Sequence, residues 1–453
     1  MIKTGSSKPW HNWARTATSQ PASIFYPSTI HEVQEIVIRA ATTGNTIRVV
    51  GAGHSFTPLV KTNDWLISLD RLSGVETINE QENTVTVLAG TRLFALGKIL
   101  GEAGYSQENL GDINIQSIAG AISTGTHGTG ISFGSISTQV KELTIITASG
   151  ELICISETKL PHYFKAALVS LGSLGIIVKV KLSIIKSPVY EFTSRKITYQ
   201  QLNHQLDQLI QENRHFEFFL FPYSDIVQVK TMNIKESKPK NVRLHHFKNV
   251  LLENYLFYII SETCRHFPKT SRFFSRLSAK SVSSTIITAQ SHQLFATPRM
   301  VRFREMEYGI PLEHFRSALK EIRECIGSQK FHVHFPIECR TVKGDDIWLS
   351  PSYDRDTAYI AFHMYKGMPY EKYFFEMERI MKKYNGRPHW GKMHNRNPQE
   401  LHELYPKLAG FLSIRKELDP HGMFLNDYLT GLFEMEERKN NIKQDNENRL
   451  FSQ

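Results

Sequence analysis

Glu338 and Arg340 stand two apart in Glu338-Cys339-Arg340, and His389 and Lys392 stand three apart in Pro388-His389-Trp390-Gly391-Lys392. In an extended segment alternate residues share a face, so Glu338 and Arg340 can offer an acceptor and a forked cationic donor to one polyhydroxylated ligand. A structural ion pair on a sheet would carry the same pattern. Upstream, Ile47-Arg48-Val49-Val50-Gly51-Ala52-Gly53-His54-Ser55 reads as a short apolar strand entering two glycines, with a histidine at the turn. Glycine permits strained angles and lets a diphosphate approach the peptide N–H groups. His54 sets an imidazole nucleophile beside whatever cofactor that loop holds; in an ordinary turn it would only form a hydrogen bond. A second run, Ser117 to Gly130, is filled with small and hydroxylated residues. It suits a flat ligand held by backbone donors, and its apolar Ile118, Ala119 and Ile122 set it apart from a flexible linker.

With both loops read, the chain resembles the vanillyl-alcohol-oxidase-type FAD oxidoreductases, and within them the aldonolactone oxidases and the related alditol oxidases. The similarity runs from Trp10-His11-Asn12-Trp13-Ala14 to Phe424-Leu425-Asn426-Asp427-Tyr428. It implies an α+β chain of two domains, a PCMH-type FAD-binding domain followed by an aldonolactone-oxidase-type substrate (cap) domain. It also implies FAD, with His54 at the position commonly bonded to the flavin 8α carbon. Cofactor contacts are expected from Val49, Val50, Gly51, Ala52, Gly53, His54 and Ser55; from Ser117, Ile122, Ser123, Thr124, Gly125, Thr129 and Gly130; and from Ile176, Ile177, His389 and Lys392.

The resemblance gives Glu338, Arg340 and Lys392 catalytic roles, and substrate contacts to these three with Ser117 and His363. Arg340 would hold the ring carbonyl or a hydroxyl, Glu338 would orient or help deprotonate the reacting hydroxyl, and Lys392 would stabilise the reduced flavin electrostatically. His363 stands where alditol oxidases carry a smaller polar residue, which favours a lactone or a bulkier sugar acid derivative. His127 matches no tethering position, and a structural role is expected of it. The implied reaction takes hydride from a CH–OH carbon, C2 of an aldono-1,4-lactone, to flavin N5. Dioxygen, giving hydrogen peroxide, or another acceptor then reoxidises the flavin. An alditol oxidase acting on xylitol- or sorbitol-like polyols is the neighbouring alternative.

The 453 residues allow two domains, and 41% apolar with 22% charged residues is the profile of a globular protein. The net charge of +10 suits an acidic partner. The basic residues are scattered except around Lys235 to Lys280, and no nucleic-acid-binding signature is present, so nucleic acid is not expected. A non-catalytic basic binder of nucleic acid or of a membrane surface is the rival from another class, and contact with an anionic membrane face stays open. Cys154, Cys264, Cys325 and Cys339 lack disulfide-like density or metal-type spacing and read as free thiols in a reducing compartment. With no signal-peptide run at the N-terminus, a cytoplasmic protein is expected, with membrane association left open. Residues 255–260 form the longest apolar run, too short to span a bilayer, and read as a buried helix. His332 and His334 could meet His363 or His394, but no carboxylate or thiolate stands at metal-site spacing, and no metal is expected.

The elements that must position these residues follow from periodicity. A capping box at Thr29 and Glu32 opens a helix whose apolar face is Ile30, Val33, Ile36, Val37 and Ala40, ending at Gly44. Strands are predicted at 47–50, 66–69, 84–89, 140–147, 151–155 and 176–185, with helices near 93–100 and 163–171. The FAD-binding domain is expected over 1–187 and the substrate domain over 188–432, with strands at 216–221, 300–308, 332–340 and 357–365 and helices at 312–325 and 370–384. Residues 433–453 form a polar tail expected to be disordered.

Overall fold

The computed structural model describes residues 4–5, 8–236, 243–295 and 301–433. The expected polar tail therefore lies outside the described residues beyond 433. The capping box is present: Thr29 caps the helix Ile30–Thr43 by accepting from the Glu32 N–H, and Gly44 closes it at φ 73°. Val33, Ile36, Val37 and Ala40 are buried on its inner face.

The first half of the chain builds two larger sheets beside two short strand pairs. Ser23–Phe25, Trp65–Ser68 and Ile47–Val50 pair in parallel, and Thr4–Gly5 adds an antiparallel edge. Leu152–Ser156, Val140–Ile146, Ile176–Ser183, Thr84–Leu88 and Val75–Asn79 form an antiparallel sheet of five. One core joins these sheets and their helices, and it also takes in Trp390, Leu401, Tyr405, Leu408, Phe411, Leu429 and Phe433. The end of the chain thus returns to the first half, and burial does not divide the sequence at a single point.

The second half is an antiparallel sheet of eight. Its order is Thr285–Gln290, Val189–Thr198, Ile226–Ile234, His215–Leu220, Ile337–Val342, Thr357–Tyr365, Phe303–Pro311 and Arg387–Pro388. A second core of Phe218, Phe315, Ile322, Ile360, Met377 and their neighbours lies between this sheet and its helices. The strand predicted at 332–340 begins only at Ile337, because Pro336 cannot donate to a ladder, so His332 and His334 precede it. The apolar run 255–260 is helical, within Arg243–His266, but Tyr255, Leu256, Tyr258 and Ile259 are exposed and the expectation of burial is corrected. Among the described residues no helix is long and apolar enough to cross a membrane.

Candidate active site

The strand Ile47–Val50 delivers its glycine turn against the start of the short helix Ile118–Ser123. A Cβ on Gly51 would lie 2.2 Å from Ser117 Oγ, so only glycine lets the two loops meet, and Gly53 turns at φ 66°. Between them runs a cleft lined by Val49 to Ser55, Ser117, Ser123, Thr124, Ile176 and Ile177. The N–H groups of Ala52 and Gly53 donate to no protein acceptor among the described residues. A cleft lined in this way, with free donors on a glycine turn, fits a dinucleotide diphosphate, as FAD requires.

Six expected cofactor contacts lie elsewhere, His389 and Lys392 in a second, polar chamber and four in the surrounding fold. Ile122 is buried in the first core. Gly125 turns at φ 70° toward Val169 and Pro351. The Thr129 hydroxyl donates to the Phe216 carbonyl, and the Gly130 N–H donates to the Thr341 carbonyl at 2.8 Å. These two tie the second loop to the large sheet and do not line the cleft.

His54, Ser55, Gln116 and Thr124 also border the second, polar chamber. Its floor is one face of the large sheet, and the register explains its make-up. Arg340 pairs with Tyr359 and Glu217, Glu338 and Glu307 both pair with Ala361, and Glu305 pairs with His363. Alternation puts all of these on one face, where Ala361 is the small residue between two carboxylates. Walls come from Asp112, Ile113 and Gln116, from Thr126 and His127, and from His389, Gly391 and Lys392.

Glu305, Glu307, Glu338 and Arg340 are buried. Buried charges persist only when paired, and each is. Arg340 bonds Glu338, gives Nε to Glu217 at 3.0 Å and approaches Asp112 at 3.5 Å. Burial works against its charge, but Glu338, Asp112 and Glu217 more than offset that and raise its pKa well above the ordinary value. Lys392 Nζ lies 2.6 Å from Glu305. Burial opposes ionisation of Glu307, yet His127, with Lys392 and His389, takes its carboxyl down to about 2. Burial pushes His389 down to about 3, so it is neutral, and its Nδ1 accepts from the Gly391 N–H at 3.0 Å.

The structure brings His54, Glu338, Arg340, His389 and Lys392 to this chamber. It does not bring Ser117, which lines the cleft, or His363, whose ring lies against Phe303 with Nε2 3.5 Å from Glu305. Sequence reasoning missed Asp112, Glu305 and Glu307. The alternation Glu305-Met306-Glu307 inside a predicted strand was the available signal for two of them. His127 is more than a loop support: it stacks on Tyr359 at 3.7 Å and meets Glu307 at 3.3 Å.

His332, His334, His363 and His394 are not gathered. His127, Glu307 and His389 are, with candidate ligand atoms within 4.8 Å of one another. With Nδ1 of His389 accepting a hydrogen bond, its Nε2 carries the proton and offers a donor in place of a metal-binding lone pair.

A D-arabinono-1,4-lactone oxidase family model matches residues 180–432, and an FAD-binding-domain model matches residues 21–156. An L-gulono-1,4-lactone dehydrogenase of Mycobacterium tuberculosis is 38% identical, covering 92% of this chain and 97% of that protein. The L-gulonolactone oxidase of Mus musculus is 33% identical over 96% of this chain and 100% of its own length. The D-arabinono-1,4-lactone oxidase of Yarrowia lipolytica is 28% identical, covering 93% and 97%. The crystal structure of a Brevibacterium sterolicum cholesterol oxidase superposes with a TM-score of 0.82 at 18% identity, covering 96% of this chain and 98% of that one, a likeness of fold alone.

Proposed function

As the chain belongs to the aldonolactone oxidase and dehydrogenase family of FAD-dependent oxidoreductases, we propose that it oxidises the CH–OH group of a sugar-derived 1,4-lactone of the L-gulono or D-arabinono type. The observation that carries this reading is the composition of the polar chamber. Asp112, Glu305, Glu307 and Glu338 line it against only two permanent cations, Arg340 and Lys392. Carboxylates in excess accept from hydroxyls and repel an acid, so a neutral, hydroxyl-rich ring is the ligand such a chamber favours.

When bound, FAD supplies the hydride acceptor. The glycine turn Gly51 to Ser55, with Ser117, Ser123 and Thr124, would hold it, and His54 would tether it from the junction of cleft and chamber. Trp13 stacks on the His54 ring at 5.0 Å and fixes its orientation. Arg340 donates to the lactone carbonyl or a ring hydroxyl. Glu338, beside it, accepts from the reacting hydroxyl and helps take its proton. Lys392 places a positive charge where electrons arrive, and Glu305 holds that charge in position. The electron acceptor is dioxygen or a second carrier.

Steady-state assay of gulono- and arabinono-1,4-lactones beside xylitol and sorbitol, with oxygen and with an artificial acceptor, tests the reading. Lactone turnover at least about tenfold above the alditols is expected, a preference worth about 1.4 kcal/mol. Turnover of alditols alone would reassign the substrate.

A further inference from the structure

The sheet face that floors the polar chamber does not end at Arg340. Arg340 pairs with Glu217 on the strand His215–Leu220, and Glu217 pairs with Lys230 on the strand Ile226–Ile234. His215 pairs with Met232, and Met232 with Phe192 on the strand Val189–Thr198. Alternation puts all five of these neighbours on the face that carries Glu338 and Arg340. They floor a separate pocket whose other walls include Leu110, Asp112, Leu294 and Phe295. Arg340 and Asp112, 3.5 Å apart, line both cavities and mark the border between them.

Beyond Arg340 donors and acceptors alternate. One Glu217 oxygen accepts from Arg340 Nε at 3.0 Å, and the other lies 3.2 Å from Lys230 Nζ. The lysine head also sits 4.2 Å from the centre of the Phe219 ring, which holds it in place. Arg340 and Lys230 face Asp112 and Glu217, so the charges balance and nothing attracts an ionic ligand. A hydroxyl both donates and accepts, and it meets such a set without a charge of its own.

His215, on the same face, adds an independent sign of a polar ligand. Its Nδ1 donates to the Thr129 carbonyl at 2.8 Å, and burial lowers the ring to about 4, so it is neutral. Nε2 is then a bare acceptor with no partner among the described residues. A buried acceptor without a donor is costly, and a hydroxylated ligand supplies one.

We propose that this pocket takes the exocyclic arm of the lactone, with Glu217 and Lys230 meeting the arm's hydroxyls. The inference rests on the lactone reading above and adds an orientation to it. With the C2 hydroxyl at Glu338, Arg340 holds the C3 hydroxyl, and the arm on C4 runs past Arg340 onto the next strand, roughly 4.8 Å away. Lys230 is thereby a specificity-determining residue. It distinguishes a CHOH–CH2OH arm, as in L-gulono-1,4-lactone, from a CH2OH arm, as in D-arabinono-1,4-lactone.

Steady-state kinetics of the flavin-loaded, full-length protein on L-gulono-1,4-lactone, and on the five-carbon lactone of the same ring configuration, tests this. Lys230→Met should lower kcat/KM for L-gulono-1,4-lactone about tenfold more than for the shorter lactone, the worth of one hydrogen bond to a charged group. Leu294→Trp narrows the pocket from a wall outside the sheet and should shift the ratio in the same direction, with flavin content unchanged. A ratio that neither variant moves, because both lactones slow equally or neither slows, overturns the proposal. Wild-type protein that turns over neither lactone would overturn the lactone reading itself, and this inference with it.

Discussion

His127 Nε2 lies 3.3 Å from Glu307 Oε1, with both side chains buried at the edge of the polar chamber. The other ring nitrogen, Nδ1, is 2.9 Å from the Gly128 carbonyl. A carbonyl only accepts, so Nδ1 donates to it, and Nε2 is the ring nitrogen that faces the carboxylate beside the reacting centre.

Glu307→Gln keeps the shape and removes that charge. We expect kcat/KM to fall about 100-fold, the lower end for a positioned proton-handling group, with flavin content unchanged. Steady-state kinetics over pH checks this. A wild-type rate and profile would make the pair purely structural.

The same groups set an acid limit on stability. Burial holds His389 at about 3 against an ordinary 6.5, so the unfolded chain binds the extra proton between those values. Stability is therefore lost as pH falls from 6.5 toward 3. For Glu307, burial is outweighed by His127 and the carboxyl sits at about 2 against 4.5, so its contribution is present above 4.5 and lost toward 2. Urea unfolding midpoints should decline steadily from pH 6.5 to 4, and His389→Asn should flatten that slope. A midpoint indifferent to pH in this window would contradict the assignment.

Ala361 stands between Glu338 and Glu307 in the sheet. Ala361→Leu puts a larger side chain between these two carboxylates and shifts them, so KM for lactone should rise at least about tenfold, the size of a steric effect of roughly 1–3 kcal/mol. Flavin content should not change, because position 361 does not line the long cleft.

Lys392→Met leaves Glu305 without the cation 2.6 Å away. A fall of about 10²- to 10³-fold in kcat is expected from losing one preorganised charge, together with a lower Tm because a buried carboxylate has lost its cation. Adding Glu305→Gln should recover the Tm and leave kcat low. Recovery of both would mean that Lys392 only supports the fold.

Much of this site was legible in the sequence, and the rest was hidden for physical reasons. The glycine turn around His54 and the pair Glu338 and Arg340 rest on local rules: glycine where loops meet, and alternation along a strand. Thr129 and Gly130 look like cofactor contacts because they are small and polar. They are small because the loop packs on the large sheet, where Thr129 bonds Phe216 and Gly130 bonds Thr341. Glu305 and Glu307 alternate along a predicted strand, but that their face meets Asp112 and Glu338 in one chamber depends on pairing across distant strands and loops, which no local period encodes. Tyr255 to Ile260 read as core because an apolar helical run ordinarily is, and only the packed structure shows which side faces out.

The chamber's charge makes one prediction about substrate form. With four carboxylates lining it, the open-chain aldonate should bind at least about tenfold more weakly than its 1,4-lactone, since a like charge placed among them costs binding energy. Competitive inhibition by the free acid at neutral pH measures this, and equal affinity would contradict it.

The central claim is that one chain holds FAD and presents it to a sugar lactone over Glu338, Arg340 and Lys392. Anaerobic mixing of the purified flavoprotein with L-gulono- or D-arabinono-1,4-lactone, followed by the flavin's visible absorbance, tests it most directly. Rapid bleaching by lactone in the wild type, and bleaching at least about 100-fold slower in Arg340→Lys, is the predicted result. A flavin that stays yellow with every lactone, or an Arg340→Lys variant that bleaches as fast as the wild type, would contradict the account.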